Sequence, residues 1–239
     1  MGCSSKIEET GIGKEWQDLS GWPQITLQDL IGKISTQMNE CVRIYTVKTT
    51  RLIIESNEIH HIGCGPNLEG GLATLCTCKH SMRQSHTCRD WKDKWILGLT
   101  SRAKNNGFDG THYLFYLMKI KNAFENHRDL YGFLKNNNEN NALRIKSSVN
   151  NPRGDIYIPK SNCNDLLDPN EYEKPCENHS HIDNNGWHDD IIGKNNSATL
   201  LMGDKSNTFV WLKPTIKFNK NRGPGNLILS MEEFIGCLS

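Results

Sequence analysis

The spacing of apolar residues changes along this chain and divides it into helical and extended stretches. Leu27, Leu30, Ile31, Ile34 and Met38 recur at helical intervals behind Thr26, whose hydroxyl can accept from the first free backbone amides. The pattern predicts an amphipathic helix packed on a sheet. From Arg43 the period shortens: Ile44, Tyr45 and Val47, then Leu52, Ile53 and Ile54, predict a hairpin around Lys48-Thr49-Thr50. Two apolar runs, Trp95 to Thr100 and Tyr113 to Ile120, flank the turn-rich Asn105-Asn106-Gly107-Phe108-Asp109-Gly110, the arrangement of a core antiparallel hairpin. Asn122 can cap a helix through Phe124, His127, Leu130, Tyr131 and Leu134, which the Asn-rich stretch from Asn136 to Asn141 breaks. Gly154 to Pro159 reads as a short strand, and Thr199 to Met202 with Thr208 to Leu212 as a strand pair across Gly203 to Asn207. Ser230 and Glu233 have capping-box spacing ahead of Phe234 and Ile235.

Strands linked by hairpin-like turns outnumber helices, which predicts an α+β fold: a mainly antiparallel sheet or small barrel with peripheral helices. The organisation expected is an arm and amphipathic helix over 1–40, a main domain over 41–215, and a tail with a short helix over 216–239. The polar stretch from Lys160 to Asn196 is too long for a plain connection, and loops of that length commonly carry function.

Charge alters this picture little. With 28 cations against 27 anions in 239 residues, the net charge of +1 offers no global attraction to nucleic acid, so any such binding must come from a local patch. No apolar run is long enough to span a membrane, and the start has no apolar leader core, so the expectation is a cytoplasmic protein without membrane contact. Gly2-Cys3 has the look of a lipidation signal, but Lys6 stands where Ser or Thr is required. Nine cysteines, an odd number, favour reduced thiols over a disulfide framework.

Chemistry concentrates in the bend from Gly65 to Arg83. Its glycines permit a tight turn, and Asn67 fits the same turn. Cys64, Cys76, Cys78, His80, His86 and Cys88 crowd around it, and a zinc site from Cys78, His80, His86 and Cys88 is one reading. Cys76 and Cys78, however, are separated by a single residue, which no common zinc module uses, so no metal ligand set is assigned. Cys176, His179, His181 and His188 form a second such group without recognised order. Cys78 stands beside Lys79 and close to His80 and Arg83, and neighbouring cations enlarge a thiolate fraction, which makes it a candidate nucleophile. Phosphate-loop, nucleophile-elbow, dinucleotide and zinc-protease motifs are missing, and no cofactor follows from the sequence.

Several blocks in order carry a resemblance: Pro66-Asn67, Thr74-Leu75, Cys78-Lys79 with Arg83, then Trp95-Ile96-Leu97-Gly98 leading to Thr100-Ser101. Leu114 to Ile120, Gly154-Asp155-Ile156-Tyr157, Trp187-His188, Leu200-Leu201 and Phe209 with Trp211 continue it. Over roughly residues 60 to 213 the chain resembles the second type of nucleotide modification associated domain, a bacterial and phage family tied to DNA base modification. His80 departs from the proline that follows the family's Cys-Lys pair. The Trp95 to Ile120 block is also similar to the barrel core of base-binding PUA and EVE domains, an analogy of fold alone. The resemblance implies a protein that acts on or recognises a nucleobase, with nucleotide or nucleic acid and other DNA modification proteins as partners. On that reading Cys78, Asp155 and His188 are catalytic, and Asn67, Thr74, Lys79, Arg83, Ser101, Tyr157 and Trp187 hold the nucleotide. A non-catalytic reader of modified bases or nucleotides fits the same residues, and a zinc-stabilised interaction protein is a third reading.

Overall fold

The computed structural model describes residues 17–19, 21–61, 65–179, 181–193, 197–220 and 227–239. Gly2, Cys3, Lys6, Cys64 and most of the N-terminal arm lie outside the described residues. In chain order the regular elements begin with α1 (Leu27–Ile34), β1 (Cys41–Val47), β2 (Thr50–Ile53), β3 (Glu58–His61) and β4 (Thr74–Leu75). Two single-turn helices, α2 (His80–Arg83) and α3 (Cys88–Trp91), precede the central strands β5 (Trp95–Thr100) and β6 (His112–Phe124). Then come α4 (His127–Asn136), α5 (Asn140–Lys146), α6 (Gly186–Ile192), β7 (Leu200–Val210), β8 (Lys217–Phe218), β9 (Leu227–Ser230) and α7 (Met231–Ile235).

The fold is α+β. A seven-stranded sheet runs β4-β7-β6-β5-β1-β9 with β8 added against β6, and it curls into a half-barrel. β1 and β5 pair in parallel, and every other named pair in the sheet is antiparallel. Trp95–Thr100 and the following long strand form the expected antiparallel pair, Ile96 opposite Met118 and Leu97 opposite Leu117. The hairpin expected around Lys48-Thr49-Thr50 is replaced by a different pairing: β1 enters the main sheet between β5 and β9, while β2 pairs only with β3. The strand pair expected across Gly203–Asn207 is a single strand. Leu200–Val210 forms one strand, but its register against β6 shifts inside it: Met118 lies opposite Thr208 and Ile120 opposite Gly203, so residues 204–207 stand outside the ladder, where Asp204 accepts from the Ser206 amide and the Thr208 hydroxyl.

Local signals decide the helix ends. Thr26 caps α1 and Ser230 caps α7, each in a reciprocal capping box, with Asp29 and Glu233 as the returning side chains. The cap of α4 is Asn126 rather than Asn122, since β6 keeps its ladder as far as Phe124. Asn140 already opens α5, so the expected Asn-rich loop shrinks to the few residues between two helices.

The sheet is buried on both faces, as its near-continuous apolar runs require. Leu30 and Ile34 of α1, Val42, Ile44, Trp95 and Leu97 of the sheet, and Leu229, Met231 and Phe234 share one core cluster. Tyr45, Val47, Ile96, Phe115, Tyr116 and Met118 form the other, which also takes in Cys78, Met82 and Trp91. The Cys78 segment is thus packed into the core of the sheet's second face. Gly98 belongs to this contact: a Cβ there would overlap the Tyr116 ring and crowd Val47. Gly98→Ala is expected to cost about 1–3 kcal/mol, read as a lower urea midpoint; an unchanged midpoint would show that Tyr116 has room to move.

Candidate active site

The long polar stretch after Lys160 returns to the bend and meets it at one carboxylate. Asp190, on α6, has a side chain with 0% exposure, and both oxygens are engaged. Oδ1 accepts from His80 Nε2 at 2.6 Å. Oδ2 accepts from His181 Nδ1 at 2.6 Å and from the Tyr157 hydroxyl at 2.8 Å. The His181 imidazole also interacts with the Cys78 thiol. Thiol, imidazole and carboxylate therefore stand in series, the parts and order of covalent nucleophilic catalysis.

The local backbone explains how Cys78 and His80 both reach this point. Lys79 between them is left-handed, with φ 60° and ψ 38°, a conformation rare for a residue with a side chain. Arg83 braces the turn from inside: Nε donates to the Cys78 carbonyl at 2.6 Å, and Nη1 donates to the carbonyls of Ala198 and Thr199. His80 Nε2 also lies 2.6 Å from the Thr77 carbonyl, so the same N–H faces two acceptors. His179 Nε2 pairs with the Gly154 carbonyl at 2.8 Å, while its Nδ1 accepts the backbone N–H of His181 at 3.2 Å. Burial keeps His179 below its ordinary value, consistent with a neutral ring that holds the His181 backbone.

The electrostatics centre on the Asp190–His181 pair. Burial works against the charge of both groups. For Asp190 the hydrogen bonds from His181 and His80 outweigh it and hold the carboxyl down to about 2. For His181 the Asp190 and Cys78 hydrogen bonds outweigh it and push the imidazole up to about 10. The neighbouring Cys76 is a different kind of thiol: burial drives it well above its ordinary value, which marks it as inert packing.

Of the residues expected to be catalytic, only Cys78 joins this series. Asp155 is buried outside this series: the Thr74 hydroxyl and the Cys76 thiol lie beside it, and its strongest charged neighbour is Lys146. His188 is half-buried and rests edge-on against Trp187 at 4.3 Å between ring centroids. Tyr157 does reach the site through its bond to Asp190. The expected nucleotide contacts are otherwise engaged inside the protein. Arg83, 1% exposed, is a brace for backbone carbonyls rather than a free phosphate ligand. Asn67 and Thr74 form a backbone bridge and accept from Lys146, and the Ser101 hydroxyl accepts from Asn106 at 2.8 Å. Trp187 packs against Tyr157 in the core. Lys79 alone of that set faces solvent, its Nζ 4.8 Å from the Tyr45 ring centroid.

Among the described residues, no group of three or more His, Cys, Asp and Glu side chains is placed to hold a metal ion. The imidazoles weighed as zinc ligands have other partners: His86 lies against Trp91 at 5.2 Å, and His80 and His181 divide the two oxygens of Asp190. A surface cleft of about 360 Å³ is lined by residues including Gln84, His86, Cys88, Glu125 and Thr199, and the triad residues are not part of it. The thiol's more exposed neighbours are instead Lys79 and His80. Asp190 and the pairing of His181 with Cys78 had no signal in the sequence, since His80 and Asp190 are 110 positions apart. No helix among the described residues is long and apolar enough to cross a membrane. No family model, no curated protein and no solved structure matches the chain.

The pair sets a pH dependence of stability. Asp190, lowered from 3.8, stabilises the fold above 3.8 and loses that contribution as pH falls toward about 2. His181, raised from 6.5, contributes fully below 6.5 and loses its contribution as pH rises toward about 10. The stability gap between wild type and Asp190→Asn is therefore expected to be widest between 3.8 and 6.5 and to narrow on both sides. Urea midpoints across pH check this, and a gap independent of pH would contradict the ion pair.

Proposed function

We propose that the chain is a cysteine-dependent enzyme in which the Cys78 thiol bonds covalently to an electrophilic carbon of its substrate. The observation that carries this reading is the series Cys78, His181 and Asp190. His181, held in its charged form, stabilises the sulfur as it attacks and gives its proton to the leaving group, taking one back when the covalent intermediate breaks down. Asp190 holds the ring in position and stabilises its charged form, with Tyr157 and His80 fixing the carboxylate. A binding module has no need of a thiol, a base and an orienting carboxylate in this order, which favours an enzyme over a passive reader.

For the substrate we propose a nucleobase or nucleotide, the class that the sequence resemblance implies. Ring carbons bearing oxygen or amino groups are electrophilic and give a thiolate an atom to add to. Lys79, beside the nucleophile and exposed, is placed to meet a phosphate.

Two measurements test the two parts separately. Limited alkylation followed by peptide mass spectrometry is expected to label Cys78, and His181→Gln is expected to slow that labelling by roughly 100-fold. Equal rates would remove His181 from thiol activation and with it the enzyme reading. Nucleosides from cells producing wild type are expected to include a modified species that Cys78→Ser cells lack. Identical nucleoside profiles beside an intact alkylation difference would discard the nucleobase and keep the thiol chemistry.

A further inference from the structure

A second buried polar group lies apart from the thiol series and has no part in that chemistry. Lys146, the last residue of α5, is 0% exposed, and its Nζ lies 2.6 Å from the Asn67 carbonyl, 2.9 Å from Asn67 Oδ1 and 3.1 Å from Thr74 Oγ1. Asn67 is 1% exposed, and its Nδ2 donates to the Arg153 carbonyl at 3.2 Å, which fixes the carboxamide with its oxygen toward the amine. Asp155, also 1% exposed, has neither carboxyl oxygen in a well-formed hydrogen bond, although the Thr74 hydroxyl and Cys76 thiol lie beside it. A fully buried carboxyl with no well-formed hydrogen bond calls for an explanation.

We propose that Lys146 and Asn67 are the partners of an intramolecular isopeptide bond that forms within the folded chain. The amine is the nucleophile, the carboxamide carbon of Asn67 the electrophile, and Asp155 the proton carrier, acting through the Thr74 hydroxyl that lies next to both Lys146 and Asp155. Burial pushes the Lys146 amine down to about 8 and the Asp155 carboxyl up, so it moves both groups toward the neutral forms the reaction uses. Nζ attacks Cγ and a C–N bond forms while the carboxamide oxygen is protonated. The amine proton passes to Nδ2, the Cγ–Nδ2 bond breaks and ammonia leaves, and the carbonyl re-forms as the oxygen's proton returns to Asp155. The product is a secondary amide, Asp155 ends as it began, and no oxidant or co-reactant is needed. Fixed geometry in a dry core replaces an activating group. The link would join positions 79 residues apart and tie the loop leading to Cys78 onto α5, and closing so long a loop limits the unfolded chain most.

Mass spectrometry of the purified, denatured and reduced full chain tests this. The wild type is expected to weigh less than its sequence by one ammonia, and Lys146→Arg and Asp155→Asn are expected to keep the mass of their sequences. Succinimide formation at Asn106-Gly107 or Asn185-Gly186 also releases ammonia, so the deciding result is a tryptic branched peptide joining segment 52–79 to Lys146, with no cleavage after Lys146. Wild-type protein that yields the segment 52–79 unmodified and is cleaved normally after Lys146 overturns the proposal. That result depends on wild type alone, so a variant that fails to fold leaves the test intact.

Discussion

One buried carboxylate joins the two halves of the site. Asp190 receives His80 from the bend and His181 and Tyr157 from the segments beyond it, and its side chain is closed to solvent. A lone charge in that position would be costly, and removing one member of such a set leaves another without compensation, at about 3–5 kcal/mol. The surroundings of the thiol follow from this constraint, because Asp190 holds the His181 ring at Nδ1 and so sets it beside Cys78.

Two further buried cations do structural work near the bend. Arg83 ties the Cys78 carbonyl to Ala198 and Thr199, and Lys146 ties the Asn67–Thr74 bridge to α5. Both turn their nitrogens toward buried oxygens rather than toward water, and in doing so they hold a glycine-rich loop that has little regular structure. The bend is thus rigid at both ends, with an exposed Lys79 at its left-handed corner. Preorganisation of this kind is what a nucleophile requires if it is not to lose rate to rearrangement.

Much of the fold was legible because it rests on local rules. Thr26 and Ser230 cap their helices with the side chains that the spacing indicated, and Trp95–Thr100 pairs with the run beginning at Tyr113 as alternation and turn residues predicted. The errors share a cause. The Gly203–Asn207 segment has turn composition and bulges out of the ladder, yet β6 pairs with the chain on both sides of it and keeps one strand where two were expected. The same extension of β6 moved the cap of the next helix from Asn122 to Asn126. The bond of β1 to β5 is parallel and so needs a long crossover, for which the short-range pattern around Lys48 carried no sign.

The sequence by itself determined the caps of the first and last helices, the central apolar strands, and the concentration of thiols, imidazoles and cations around Cys78. Types and order of residues are local properties, and they marked Cys78 as a candidate nucleophile. Only the tertiary structure decided which histidine and which carboxylate serve it. His181 and Asp190 lie in an irregular polar stretch without periodicity, and their position beside Cys78 results from chain folding between residues 110 positions apart. Tertiary packing likewise separated the cations, since burial turned Arg83 and Lys146 inward and left Lys79 facing water. Sequence spacing does not encode burial of that kind, which depends on what the rest of the chain places around each charge.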